Sequence, residues 1–457
     1  MEQIILDYNI DEPFYIQIYN HFKTEIIIGN LIKGAKLPSI RGLSMDIKVS
    51  KTTIESAYNQ LVVEGYVNNI PKKGYFVVAL KDYEFTTDKK KILNPAKDKF
   101  LDYINNGVDK ASFDMKIWRK LYGNILSEKD NKLYTVGDYQ GEEVLRQKIC
   151  EFVQKTRGVK CSSDQIVVGA GIQYLLGILC SLTLEDQYSV AVEYPGFNQA
   201  KNVFEDYHMK IIPVPVYDEG IDIEELKQSQ AKMVYLSPSH QYPTGSVMPI
   251  DKRLDILNWA SNNDSIIIED DYDCLIRYES RPIPALQGLD KGGHVIYLGS
   301  FSKILLPSIR ISYMILPQKI LDRYKSKIGR YSQTSSKIEQ LTLAQFMKEG
   351  YLEKHLRKIR KVYHRKNEII VNYINKYAKE KINILGHDSG LHMMFELKTN
   401  KISKEIIAEA EKLNIYLEVV EGYHEGKLVV VFTYSGLEEE DIEGILQLLI
   451  KNIFYPH

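Results

Sequence analysis

Beyond Lys160 the chain repeats one pattern: a short apolar run, then a stretch with helical spacing. The runs are Gln165 to Val168, Ser189 to Val192, Lys210 to Val214, Met233 to Leu236, Ser265 to Ile268 and Val295 to Leu298. Runs this short, apolar at successive positions, have no face to offer water, so they read as strands buried between layers of helix. Such alternation predicts an α/β fold with a mainly parallel central sheet, and ligands of such sheets gather at the carboxyl ends of the strands. Polar clusters stand where those ends fall. Gly169-Ala170-Gly171-Ile172-Gln173 opens a helix and offers backbone N–H groups to an anion. Tyr194-Pro195-Gly196-Phe197 offers an aromatic face, and Glu269-Asp270-Asp271-Tyr272-Asp273 offers carboxylates with a phenol among them.

The last apolar run empties into Gly299, Ser300, Ser302 and Lys303, and a second β-branched run, Ile309 to Leu316, follows Pro307. One amine is thereby set at the end of a buried strand. Apolar neighbours strip solvation from an ammonium ion, which lowers its pKa and makes the free amine available as a Schiff-base nucleophile. Ser300, Ser302 and Arg310 are donors of the kind that hold a phosphate, as are the N–H groups at Gly171, Ile172 and Gln173. An amine beside a phosphate cradle suggests pyridoxal 5'-phosphate. The ring nitrogen of that cofactor stays protonated beside a carboxylate, a role that falls to Asp270; Tyr272 is placed to donate to the ring oxygen and Phe197 to stack on the ring. Taken singly, the acidic cluster also reads as a solvated helix start and Phe197 as core.

The chain has 457 residues, more than one core usually supports, so two or more domains are expected. A net charge of -1 points neither to nucleic acid nor to membrane for the chain as a whole, and any basic surface must be local. The cysteines (Cys150, Cys161, Cys180, Cys274) show no C-x-x-C spacing and no neighbouring histidine pair, which argues against zinc or any other metal and against a disulfide framework. The N-terminus lacks a basic segment followed by a long apolar one, and no run approaches a membrane span. The expectation is a cytoplasmic protein.

Residues 1–80 read as a separate small domain. Tyr15 to Ile28 carries Ile16, Ile18, Tyr19, Phe22 and Ile26 at helical spacing; Ser39 caps a second helix with Ile40, Leu43 and Ile47 inward; Ser50 caps a third bearing Ile54, Ala57, Tyr58, Leu61 and Val62. Tyr66 to Val78 then reads as two strands around a Pro-Lys-Lys-Gly tip. Between Lys33 and Lys73 seven basic residues face three acidic ones, so this segment is basic within a neutral chain. Two helices joined by a tight turn, with small polar and basic residues at the start of the second, suit entry into the DNA major groove. Residues 81–98, rich in lysine and without period, read as a linker, which leaves 99–457 as the second domain.

Gly34-x-Lys36-Leu37-Pro38-Ser39-x-Arg41, Val49 to Ile54, and Glu64-Gly65-Tyr66-Val67 with Lys73 to Val77 resemble the GntR-type winged helix-turn-helix signature. The resemblance implies double-stranded promoter DNA as partner, with Ser39, Arg41, Lys51, Thr52, Thr53 and Gly74 as contacts; Lys72 and Lys73 at the hairpin tip would ride on the backbone. Lys51 stands where that family usually carries arginine, which favours phosphate contact over bidentate guanine readout. Ser300, Lys303 and Arg310 match the Schiff-base segment of fold-type I aminotransferases. Val136 to Gly141, Glu193 to Phe197, Ser237 to Gly245, Ile268 to Asp273, Gly350 to Arg360 and Ser389 to His392 extend the likeness, in order, to the MocR subfamily of GntR regulators. That resemblance implies an N-terminal winged helix-turn-helix domain joined to an aminotransferase-like domain, pyridoxal 5'-phosphate on Lys303, and a head-to-tail homodimer.

Catalytic aminotransferases of this fold usually grip the substrate carboxylate with an arginine on a strand near the C-terminus. No arginine follows Arg365, and the strand Lys427 to Phe432 offers only Lys427. The sequence therefore predicts a regulator with little or no transaminase turnover, sensing pyridoxal 5'-phosphate itself and controlling vitamin B6 supply. Sensing of an amino acid or amine, a working aminotransferase with a DNA-binding arm, and a large domain that only dimerises are the competing expectations.

Overall fold

The computed structural model describes residues 4, 6–7, 12–78, 107–127, 131–183, 189–278, 283–386, 390–413, 415–420, 423 and 427–454. The chain divides into two compact units, Met1–Leu93 and Asn94–His457. The expected linker, residues 81–98, lies outside the described residues.

In the first unit, helices α1 (Phe14–Ile27), α2 (Ile40–Asp46) and α3 (Lys51–Val63) precede a hairpin of β1 (Val67–Ile70) and β2 (Gly74–Val77). Serine begins two of these helices for a stated reason: the Ser39 hydroxyl accepts the N–H of Gly42 and the Ser50 hydroxyl that of Thr53, each satisfying a donor the helix leaves unpaired. Ile18, Phe22, Leu43, Ile54, Tyr58, Leu61 and Val77 form the core. Tyr58 lies edge-on to Phe22 at 5.5 Å and donates its hydroxyl to the carbonyl of Pro38 at 3.0 Å, tying α3 to the turn that leads into α2.

The second unit is built on an eight-stranded sheet. Its strands are β3 (Ile166–Gly169), β4 (Ser189–Tyr194), β5 (Lys210–Tyr217), β6 (Gly220–Ile221), β7 (Met233–Leu236), β8 (Ile266–Asp271), β9 (Val295–Ser300) and β10 (Ser312–Ile315), in the order β3-β10-β9-β8-β7-β4-β5-β6. Each of the apolar runs noted above is a strand. The five strands from β9 to β5 are mutually parallel; β10 lies antiparallel between β3 and β9. Side chains alternate between two faces. Val167, Val190, Tyr235, Ile268, Leu298 and Met314 meet the helices Ile172–Thr183, Asn198–Asp206 and Gln318–Lys327, while Val168, Tyr297, Tyr313 and Ile315 meet Glu143–Arg157 and Lys337–Lys348.

A smaller four-stranded sheet, β11 (Ile382–Leu385), β12 (His392–Leu397), β13 (Glu418–Val420) and β14 (Leu428–Thr433), has the order β11-β12-β14-β13 and is antiparallel throughout. Met393, Phe395, Val430 and Phe432 pack against the C-terminal helices, and the other face carries Met394, Val429 and Val431.

The long helix Tyr351–Tyr377 is held by a buried ion pair. Lys366 lies 2.7 Å from Asp109 and also donates to the carbonyl of Leu437. Burial alone would raise the Asp109 pKa, but hydrogen bonds from Lys366 and Ser112 outweigh it and hold the carboxyl below its ordinary value. Removing one partner of such a pair strands the other charge. Lys366→Met is expected to lower unfolding stability by about 3–5 kcal/mol in urea titrations, with part of the loss recovered by adding Asp109→Asn. Because the folded Asp109 pKa is depressed, this stabilisation is present above the unfolded carboxyl value and fades as pH falls through the folded one, so the gap between wild type and double variant should close in acid.

Candidate functional site

A cavity of about 530 Å³ lies between the carboxyl ends of the large sheet and one face of the small sheet. Gly171, Ile172, Gln173, Phe197, Asp270, Tyr272, Ser300, Ser302, Lys303 and Arg310 all line it. These ten residues come from five separate stretches of the sequence.

One end of the cavity is built for an anion. The segment after β3 turns at Gly171, with φ of 109°, into the helix Ile172–Thr183. A Cβ at Gly171 would overlap the guanidinium of Arg310, so glycine is what lets that cation lie against the helix start. Arg310 has φ of 52° and donates to the carbonyl of Ala170 at 3.2 Å. Ser300 Oγ accepts from the Ser302 N–H at 3.2 Å and lies 2.9 Å from Ser312 Oγ. Ser302 Oγ is buried and has no hydrogen-bond partner among the described residues. A guanidinium, a helix start and serine hydroxyls together fit a phosphate group.

The middle of the cavity is set by β8. Glu269, Asp270 and Asp271 are all buried. Glu269 accepts the N–H groups of Leu286 and Gln287 at 2.8 Å each. Asp271 pairs with Arg157 at 2.5 Å and accepts the Tyr297 hydroxyl. Asp270 points to the opposite face, where one oxygen accepts the Tyr235 hydroxyl. Its other oxygen, Oδ1, is buried without a partner among the described residues, and Asp270 lines the cavity. Burial, reinforced by the neighbouring carboxylates, pushes its pKa up to about 7. A buried acceptor lacking a donor fits the protonated ring nitrogen of a pyridine. Lys303 lines the same cavity, and loss of solvation lowers its pKa, partly offset by Asp273.

Around these groups stands an aromatic and imidazole wall. The Tyr272 hydroxyl lies 3.2 Å from His240 Nδ1, which is 2.7 Å from Asp273 Oδ1. Phe197 meets Tyr242 edge-on at 6.1 Å, and Tyr242 meets His392 at 5.0 Å. His392 Nε2 lies 3.1 Å from the carbonyl of Pro243, which can only accept, so that nitrogen carries the proton. Burial, then the nearby His240, lowers the His392 pKa to about 4, leaving the ring neutral at physiological pH. Glu418 and Thr433 on the small sheet, and Tyr416 just before β13, also line the cavity, and the Tyr242 hydroxyl donates to Glu418 at 2.5 Å.

The pairings of several of these groups leave no local mark in the sequence: Tyr235, His240, Asp273 and Glu418 each find their partner across more than 30 residues. Lys427, the one cation the sequence offered near the C-terminal strand, lies outside the cavity lining. It precedes β14, at the end of the strand away from the cavity-lining Thr433, and is ion-paired with Glu396 at 3.0 Å. It therefore does not stand in for a substrate-gripping arginine.

In the first unit Ser39, Arg41, Lys51 and Thr52 are exposed, as are Lys72 and Lys73 at the hairpin tip; Thr53 and Gly74 are half-buried. The hydroxyls of Thr52 and Thr53 each lie 2.7 Å from Ser50 Oγ, so they stay local to the helix start. Among the described residues no group of three or more His, Cys, Asp or Glu side chains is arranged to hold a metal, and no helix is long and apolar enough to cross a membrane.

Residues 14–77 match the bacterial regulatory proteins of the gntR family, and residues 106–443 match aminotransferase class I and II. An uncharacterized HTH-type transcriptional regulator of Bacillus subtilis, YdeL, is 39% identical over 97% of this chain and 97% of its own. The probable rhizopine catabolism regulatory protein MocR of Rhizobium meliloti is 29% identical over 97% and 95%, and the pyridoxine biosynthesis transcriptional regulator PdxR of Corynebacterium glutamicum 26% identical over 96% of each chain. In fold, an archaeal alanine:glyoxylate aminotransferase superposes with a TM-score of 0.70 at 24% identity, covering 79% of this chain and 94% of that one. The chain belongs to the MocR-type transcription regulators, in which a gntR-family helix-turn-helix domain is joined to an aminotransferase class I and II domain.

Proposed function

We propose that this regulator works in the cytoplasm as a head-to-tail homodimer, binds double-stranded promoter DNA through its N-terminal unit, and holds pyridoxal 5'-phosphate in the cavity. The observation that carries the cofactor reading is Asp270 Oδ1, a buried acceptor without a partner among the described residues in a cavity that Lys303 and Arg310 also line. Lys303 would hold the cofactor through its amine, Asp270 would accept the ring N–H, and Tyr272 would donate to the ring oxygen. Phe197 would cover the ring, while Arg310, Ser300, Ser302 and the N–H groups of Gly171, Ile172 and Gln173 would hold the phosphate. When bound, the group supplies an electrophilic aldehyde and an electron-accepting ring.

The effector in this proposal is pyridoxal 5'-phosphate itself, and the regulated process is vitamin B6 supply. The pyridoxine biosynthesis role of the Corynebacterium relative supports this. So does the cavity wall, since among the described residues Lys303 and Arg310 are the lysine and arginine that line it, neither lies on the small sheet, and His392 there is kept neutral by burial. A substrate carboxylate would lack its guanidinium clamp there, and loose positioning forfeits the near-attack geometry that turnover needs. Transamination is accordingly proposed to be negligible. In the DNA-binding unit, the exposed Lys51, Lys72 and Lys73 would contact the phosphate backbone, with Ser39, Arg41, Thr52, Thr53 and Gly74 nearby at the interface.

Protein supplied with pyridoxal 5'-phosphate should be yellow, and Lys303→Ala should lose that absorption band while remaining folded, its cofactor-free form unfolding at the same temperature as cofactor-free wild type; a band unchanged in the variant would remove Lys303 from its role. Arg310→Ala should weaken cofactor retention in equilibrium dialysis by about 1.5–3 kcal/mol, the worth of a hydrogen bond to a charged group. Lys51→Ala should weaken binding to specific and random duplexes alike and reduce the salt dependence by about one counterion. An unchanged salt slope would place Lys51 away from the backbone.

A further inference from the structure

The small-sheet end of the cavity has a chemistry of its own. Glu418 on β13 pairs in register with Val431 on β14, and on the same face stand Thr433 and its partner His392. Of the small-sheet residues that line the cavity, Glu418 is acidic, Thr433 is uncharged, and His392 is kept neutral by burial. The carboxylate does not hang loose: the Tyr242 hydroxyl donates to it at 2.5 Å, and the Tyr242 ring is braced edge-on by His392 and Phe197. Burial first, then the carboxylate beside it, raises the Tyr242 pKa, so the phenol remains a donor. A fixed anion in a half-enclosed cavity attracts a cation and repels a carboxylate, because charge-assisted hydrogen bonds gain strength where water is scarce.

We infer that this end of the cavity is a cation subsite in which Glu418, oriented by Tyr242, binds the ammonium group of a small aliphatic amine. The inference rests on the cofactor reading only for which end of the cavity remains for a second ligand. Such a ligand would carry a positive group where an amino acid presents its carboxylate, so the wall that lacks an arginine is adapted to a different class of molecule. Glu418 acts by contact with the ligand; Tyr242 is a positioning residue.

Three probes with one carbon skeleton separate the possibilities: butylamine, butan-1-ol and butyrate, which end in an ammonium, a hydroxyl and a carboxylate. Each is titrated by calorimetry into the full-length protein, with and without added pyridoxal 5'-phosphate. Butylamine is expected to bind roughly tenfold or more tighter than butan-1-ol, and butyrate weakest. Glu418→Gln should bring butylamine down to the affinity of butan-1-ol and leave butan-1-ol unchanged. Glu418→Arg should invert the order in favour of butyrate, and Tyr242→Phe should narrow the butylamine preference without abolishing it. Wild-type protein that binds butyrate as well as butylamine, or a Glu418→Gln protein that keeps the preference, would overturn the inference. The absorption spectrum of the same samples reports the cofactor independently: a missing band would contradict the cofactor reading, while the ranking of the three probes would still decide the cation subsite.

Discussion

Three consecutive buried carboxylates at the end of β8 govern the second unit. Burying a charge is costly unless it is paired, and each of these acids meets that demand differently. Strand alternation sends Glu269 and Asp271 to one face, where backbone N–H groups receive the first and Arg157 with Tyr297 the second. Arg157 in turn donates to Ser239, so the segment that follows β7 is anchored to the same network. Asp270 alone turns to the other face, where Tyr235 satisfies one oxygen and the other has no partner among the described residues. Two of the three acids are thus spent on holding the frame rigid, and the third is held ready within it.

That arrangement explains how an aminotransferase-like fold serves a regulator. The parts that would hold a cofactor sit on the large sheet, where β8, β9 and the start of the helix Ile172–Thr183 converge. The parts that would discriminate a second ligand sit on the small sheet. Here the chain places Val431, Thr433 and Glu418, and the lysine that precedes β14 is neutralised by Glu396 at the strand's other end. One half of the cavity carries donors and an acceptor that fit a phosphate and a pyridine ring, and among the described residues no lysine or arginine of the small sheet lines the other half.

Much of this was legible in the chain. The apolar runs are strands, Ser39 and Ser50 begin their helices, and the residues singled out for phosphate, ring and amine line one cavity. Those features are local: a short continuous apolar run, a capping hydroxyl, or a polar cluster directly after a strand. What could not be read depends on neighbours distant in sequence. Periodicity gives a strand two faces but not its partners, so the antiparallel insertion of β10 between β3 and β9 left no mark. The same holds for Tyr235 on Asp270, His240 on Asp273 and Tyr242 on Glu418. The ion pair of Lys427 with Glu396, which stands diagonally from it on the adjoining strand, is likewise invisible in the local run.

In the proposed regulator the state of the cavity sets the occupancy of DNA. Fluorescence anisotropy of the chain's own promoter duplex, titrated with cofactor-free and with pyridoxal 5'-phosphate-loaded protein at one fixed salt concentration, tests it directly. Loading is expected to shift the apparent affinity by about 5-fold or more, the lower range of coupling between linked sites, and Lys303→Ala to abolish the shift. Identical curves for the two forms, with an amino acid then moving the affinity of the loaded protein, would rule out cofactor sensing and make the chain a sensor of amino acids instead.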